Sequence, residues 1–479
     1  MLAATVIWDG GAANGAWGNG TNWDTDSAPA NGDDLQFDDD ADNGENTIAL
    51  GVNRTARGLT FLASTDTTGF TFNTGSQQLI INGGGITNNN TATQTFAINV
   101  RINSDQTWAA TSGALDFNNV LINRNLILTS SNNIDFGGTL TALANRTITQ
   151  SNTGTVSFNN INLSANASRL LTFTGTEDAT ISGTISNAGR LRKLGTGTLT
   201  ISSANTYTGN TILSGGTVIM GHEDAFGTGR VDLNGFTLDG GGSARNIDND
   251  TRLNGNFRLG GTSDIELSGD MTLRNNRQIY ADGTGAYEIS GSIFLGDTAA
   301  DRTLTVRGAE DMTISGNIQN GTLGSAGRLT KSDAGTLTLT GTNTYDGTTD
   351  MNTGTMIITG DNSGLSGQFH LDNGDVHVGA ANAFGTGELR LANGDIRAIN
   401  SAQTISNTTV TLAGNGTIIE GDQDLTFTGT TTVSGGNRAI RVDNTAATTL
   451  GAIALSDSAS TNRRFTLTGT GNTTLSGAI

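Results

Sequence analysis

The stretch FHLDNGDVH carries His370, Asp372, Asp375 and His377, two imidazoles and two carboxylates of the kind that hold a transition metal. All four would share one face if Asn373-Gly374 closed a two-residue hairpin. If that Asn-Gly instead turns a corner between strands of one coil, the two pairs separate. A second concentration of charge, Asp33, Asp34, Asp38, Asp39, Asp40, Asp42 and Glu45, supplies the hard oxygen donors that suit calcium. Neither an EF-hand loop nor a Gly-Gly-x-Gly-x-Asp nonapeptide frames it, so the competing reading is a solvated loop. The expectation is no cofactor, with calcium as the alternative and Asp33, Asp34, Asp38, Asp39 and Asp40 as its candidate ligands. Upstream, Trp8, Trp17 and Trp23 could stack against sugar rings, or could cover one open end of an apolar core.

Arginine recurs in a pattern. Asn-Arg stands at 145–146, 276–277 and 437–438, followed by Arg169, Arg302 and Arg463. Asparagine at a turn and arginine neutralising nearby acids explain this as architecture; a repetitive groove for polyanions is the alternative. Catalytic signatures are missing. Carboxylates spread along the chain instead of gathering where acid and base could cooperate. No Gly-x-Ser-x-Gly elbow occurs, no Gly-Lys-Ser/Thr follows the glycines, and the 3 histidines have no convincing triad partners. The expectation is a protein that is not an enzyme, with a polysaccharide-acting β-helix enzyme as the minor alternative.

Composition narrows the class. The 479 residues include 68 glycines, one proline (Pro29) and no cysteine. Disulfides, zinc–thiolate sites, iron–sulfur clusters and cysteine nucleophiles are therefore excluded. The 44 acidic and 25 basic residues give a net charge of −19, which repels nucleic acid and anionic membranes and attracts divalent cations. No apolar run approaches the roughly 20 residues of a membrane helix. The N-terminus lacks the charged and apolar regions of a signal peptide. Abundant Gly, Asn, Ser and Thr raise disorder as a possibility, but short Leu/Ile/Val/Phe runs alternating with polar residues recur throughout.

The elements that would position these groups repeat. GTGTLTISSANTYTGNTILSGG at 195–216 returns as AGTLTLTGTNTYDGTTDMNTG at 334–354, with Asn205, Tyr207 and Gly216 answered by Asn343, Tyr345 and Gly354. Larger units begin at Asn145, Asn276 and Asn437, 131 and 161 residues apart. The offset holds at 138 from Gly189 to Met220 and has become 158 by the two AFGTG segments at 225–229 and 383–387, so a block of 20 residues has been added. A globular core rarely admits such a block, whereas a solenoid accepts it as one more coil. Segments such as TLTIS, TVIMG, FTLDG and TLTLTG read as short strands, with Leu, Ile, Val and Phe inward and Thr, Ser and Asn outward. The prediction is an all-β, right-handed parallel β-helix with coils of about 20–22 residues and an N-terminal cap.

On this basis residues 1–60 form the cap, 61–144 the first coils, 145–275 and 276–436 two repeat units with the extra coil near 360–380, and 437–479 the truncated start of a third.

GRLRKLGTGTLTISSANTYTGNTILSGGTVIMG (189–221) and GRLTKSDAGTLTLTGTNTYDGTTDMNTGTMIITG (327–360) resemble the autotransporter, or passenger-associated, β-strand repeat of bacterial exported proteins. The start of the chain, VIWDGGAANGAWGNGTNWDTDSAPANGDDLQFDD, resembles the N-terminal region of large members of that class. Two departures stand out: no C-terminal membrane β-barrel is present, and Ser332-Asp333-Ala334 replaces the first glycine of the motif. The resemblance implies export to the cell surface or beyond and a structural role. Self-assembly into a fibre or surface layer is the leading expectation, which makes other copies of the chain its partner. Adhesion to glycans or another cell is the alternative, with no nucleic-acid partner.

Overall fold

The computed structural model describes residues 4–38, 45–64, 68–151, 153–321, 323–324, 326–458, 461 and 463–479. The chain divides into two compact units, Met1–Val231 and Asp232–Ile479. Each is a parallel β-solenoid of short strands, and among the described residues the only helical elements are the 3₁₀ turns Gly20–Asn22 and Glu223–Phe226.

In the first unit a strand pairs with the strand one coil later, in register and parallel: Thr5–Trp8 with Asp34–Phe37, and that strand with Arg54–Phe61. Alternation does the sorting. In Gln94–Ile102 every second residue is buried, so Phe96, Ile98, Val100 and Ile102 point inward while Thr95 and Arg101 face out. Because register is kept, like stacks on like. Phe72, Phe96, Phe117, Phe136 and Phe158 occupy one column. Their ring centroids lie 4.7, 4.7, 5.6 and 4.7 Å apart, all stacked. Three of the four spacings equal the distance between hydrogen-bonded strands, so coil stacking and ring stacking reinforce each other. The second unit carries a mainly aliphatic column, in which Ile265, Tyr287, Met312, Leu337, Met356, Val376, Ile396 and Ile419 follow one another, all buried.

The corners explain the abundance of Asn and Asp. Where the chain turns, a backbone N–H would be left without a strand partner, and a side-chain oxygen one coil back accepts it. Asn145 Oδ1 accepts from Leu170 N at 2.9 Å, Asn276 from Thr303 N at 3.0 Å and Asn437 from Arg464 N at 2.8 Å. Asp264, Asp311 and Asp424 do the same for Ala286, Thr336 and Ala447, each at 2.8 Å. Many carboxylates of this acidic chain are therefore capping groups.

Coil length varies more than expected. Leu329 meets Thr349 after 20 residues, but Arg146 meets Leu171 after 25 and Arg277 meets Leu304 after 27. The surplus leaves the wall as exposed loops at 165–168 and 298–301, which stacking does not constrain. An arginine braces each, Arg169 donating to Ser164 Oγ at 2.8 Å and Arg302 to Thr298 Oγ1 at 3.2 Å; their counterpart Arg463 pairs with Asp457 at 2.5 Å. The added block forms a complete coil, since Phe369–Leu371 pairs back to Thr349–Met351 and forward to Leu389–Ala398.

Candidate functional site

The three tryptophans form one cluster. Trp8, Trp17 and Trp23 are 0%, 1% and 0% exposed. Trp23 packs edge-on against Trp8 (centroids 5.0 Å) and Trp17 (5.2 Å), and the group rests on Phe37. Trp23 Nε1 donates to the Trp17 carbonyl at 2.9 Å and Trp8 Nε1 to that of Glu45 at 3.2 Å. No ring face is open to a sugar, which corrects the stacking assignment. Burying three indoles against Phe37 removes far more apolar surface from water than an exposed platform would.

Of the acidic run, Asp39, Asp40 and Asp42 lie outside the described residues. Asp33 accepts from Ala4 N at 3.2 Å and Ala30 N at 2.8 Å, fastening its own loop. Asp34 is ion-paired with Arg57 one coil on. A calcium ion would compete with Arg57 for Asp34; of the rest of the run, Asp38 and Glu45 are described.

Asn373-Gly374 turns a corner, with Gly374 in the left-handed region (φ +86°) that favours glycine. The strands on either side run on in parallel with their neighbours, so the two histidines part. His377 and Asp375 lie beside Asp395, Arg397 and Glu420. There burial and the Arg397 charge lower the His377 pKa, while burial and Asp375 raise that of Asp395. His370 instead has Asp350 and Arg390 as register partners in the preceding and following coils. His370 Nδ1 is 2.9 Å from Asp350 Oδ1, and Asp372 Oδ1 accepts from Arg390 Nη1 at 2.5 Å. One donor atom each from Asp350, His370 and Asp372 falls within 4.8 Å of the other two. Asp350 was not in the sequence-based set. Its distance of 20 residues from His370, one coil, was the signal that could have found it.

A different carboxylate pair lies in the first unit. Asp116 and Asp135 are register partners, and burial together with the Asp135 charge raises the Asp116 pKa. Asp116 borders an open groove of about 230 Å³ with Thr95, Phe96, Phe117 and Asn118. Near it, Asp135 accepts from Ser157 Oγ at 2.5 Å. Elsewhere in this unit Arg146 sits between Arg124 and Arg169, and its pKa is lowered by burial and then by Arg124.

The repeated motif itself is buried machinery. Lys193 Nζ donates to the carbonyls of Leu194 at 2.7 Å and Gly195 at 3.1 Å; Lys331 Nζ does so to Ser332 and Asp333, both at 2.8 Å. Burial pushes both amines down to about 8. The Tyr207 and Tyr345 hydroxyls bond Thr211 and Thr349. Asn205 and Asn343 accept from Ile185 N at 2.6 Å and Ile318 N at 2.8 Å. Asp333 adopts φ +66° where its counterpart Gly195 has φ +75°. Aspartate tolerates that conformation better than most side chains, and Arg307 holds its carboxylate through two bonds of 3.1 Å.

Residues 191–220 and 329–358 match the family model of the passenger-associated-transport-repeat, so the chain carries two such repeats. Each contributes four strands, from Arg190–Lys193 to Thr217–Met220 and from Arg328–Lys331 to Thr355–Ile358. Over 304 residues, 54% of the chain, it is 29% identical to the adhesin BmaC autotransporter of Brucella suis biovar 1 (strain 1330). That stretch spans 9% of the relative's length. No solved structure matches the chain.

Proposed function

We propose that the chain is part of an exported, cell-surface adhesin, a non-catalytic solenoid that works by extension and contact. The observation that carries this reading is the pair of passenger-associated repeats, whose polar motif residues are spent on building coils. The likeness to an autotransporter named as an adhesin favours contact with a foreign surface over self-assembly into a fibre or layer. The outward Thr and Asn rows and the loops at 165–168 and 298–301 are the surfaces on offer.

Two measurements test it. Protease added to intact producing cells should remove the chain, and beads coated with purified protein should attach to animal cells or glycan-coated surfaces above bare beads. Attachment should survive active-site inhibitors of glycosidases and occur without product release. A chain protected inside the cell, or coated beads that behave as bare ones, would sink the proposal. Filaments or sheets in electron micrographs of the purified protein would move self-assembly to first place.

A further inference from the structure

Asp350, His370 and Asp372 are held together by two features that arose at the same place. The added coil brings His370 and Asp372, and the coil it stacks upon carries Asp350 where the first repeat has Ile212. Rigid neighbouring strands place the ligand atoms within 4.8 Å of one another before any ion arrives. The groups are partly buried, with side-chain exposures of 22% for His370, 30% for Asp350 and 41% for Asp372.

The surrounding hydrogen bonds fix the imidazole. Gln368 Nε2 donates to Glu388 Oε2 at 2.8 Å, which assigns the other amide atom as oxygen. That oxygen, Gln368 Oε1, is 3.1 Å from His370 Nε2, so Nε2 must carry a hydrogen and donate. Nδ1, 2.9 Å from Asp350 Oδ1, is thereby left with its lone pair on the side of that carboxylate. A metal ion placed among Asp350, His370 and Asp372 would meet one ring nitrogen and two carboxylate oxygens. Arg390, bonded to Asp372 Oδ1, orients that carboxylate as outer-shell partners of metal ligands do.

We propose that Asp350, His370 and Asp372 bind a divalent transition metal on the outer wall of the second repeat, with Gln368 and Arg390 orienting the ligands. One nitrogen and two oxygens suit zinc and its neighbours in the series better than calcium, which prefers six to eight oxygens. A three-residue set leaves positions for water or for a donor from a partner.

Zinc titrated into the chelator-stripped full chain by calorimetry is the test, with cobalt absorption as a spectroscopic readout. One strong site per chain is expected, raising the unfolding temperature. His370→Asn should abolish it, Asp350→Ile, which copies the first repeat, should weaken it at least tenfold, and Gln368→Ala should weaken it about 10–100-fold. His222→Asn, at the exposed His222–Asp224 pair, should bind like the unaltered protein. Circular dichroism checks that each variant folds. Absence of zinc binding, unchanged affinity in both His370→Asn and Asp350→Ile, or loss in His222→Asn would overturn the assignment.

Discussion

A single glycine or lysine in this chain is answerable to the coil above it. Gly216 and Gly354, which close the two repeats, have φ of +66° and +81°. A Cβ at Gly354 would lie 2.3 Å from the Asp333 carbonyl and 2.8 Å from Lys331 Nζ. Gly354→Ala is therefore expected to cost about 1–3 kcal/mol in chemical denaturation, whereas alanine at half-buried Gly32, where a Cβ would meet no atom within 4 Å, suffers only from its φ of +101°. The buried lysines predict a pH dependence. Their folded pKa of about 8 lies below the ordinary 10.5, so between these values the unfolded chain holds more protons and stability rises with pH. Below pH ~8 both states are protonated and the unfavourable contribution is constant. Tyr207 and Tyr345 act oppositely: burial raises their pKa above the ordinary 10.0, so stability falls once the unfolded phenols ionise. Denaturant midpoints should climb from pH ~8 to a maximum near pH ~10 and then drop, and Lys193→Met/Lys331→Met should flatten the climb. A midpoint that is level or falling over that climb would contradict the burial argument.

At the scale of the element, the coil is the unit that can be added or removed. In the first repeat Asn205 donates to the Ala225 carbonyl at 2.8 Å. In the second, Asn343 donates to Asn362 at 2.9 Å, and Asn362 donates to Ala383 at 2.8 Å, so the added coil inserts a relay into the same bond. Deleting residues 360–379 lets Asn343 reach Ala383 directly and stacks Met356 on Ile396. The shortened chain is expected to keep its β-sheet circular dichroism and unfold cooperatively; collapse to an unfolded spectrum would refute the coil-insertion account. The strand positions, inward alternation and added coil were legible in sequence because period-2 patterning and a 20-residue offset are one-dimensional signals. The long coils were less so, since an exposed loop such as 298–301 carries no burial pattern that stacking must obey.

Within each compact unit every coil touches its neighbours in the stack, so stability is a sum of local interfaces. Phe117→Ala removes the middle ring of the column between Phe96 and Phe136 and is expected to cost about 3–5 kcal/mol. Hydrogen exchange should accelerate in the coils around Phe117 and stay unchanged around Leu337 and Met356; uniform acceleration would show a cooperativity longer than nearest-neighbour stacking provides. By itself the sequence determined the all-β solenoid, its repeats and its resemblance to exported passengers, because these rest on period, offset and motif. Tertiary structure alone decided that the tryptophans are buried, that His370 and His377 part, and that Asp350 joins His370. Those outcomes depend on which residues meet across coils, and register sets that through strand hydrogen bonds between residues about 20 or more apart in the chain.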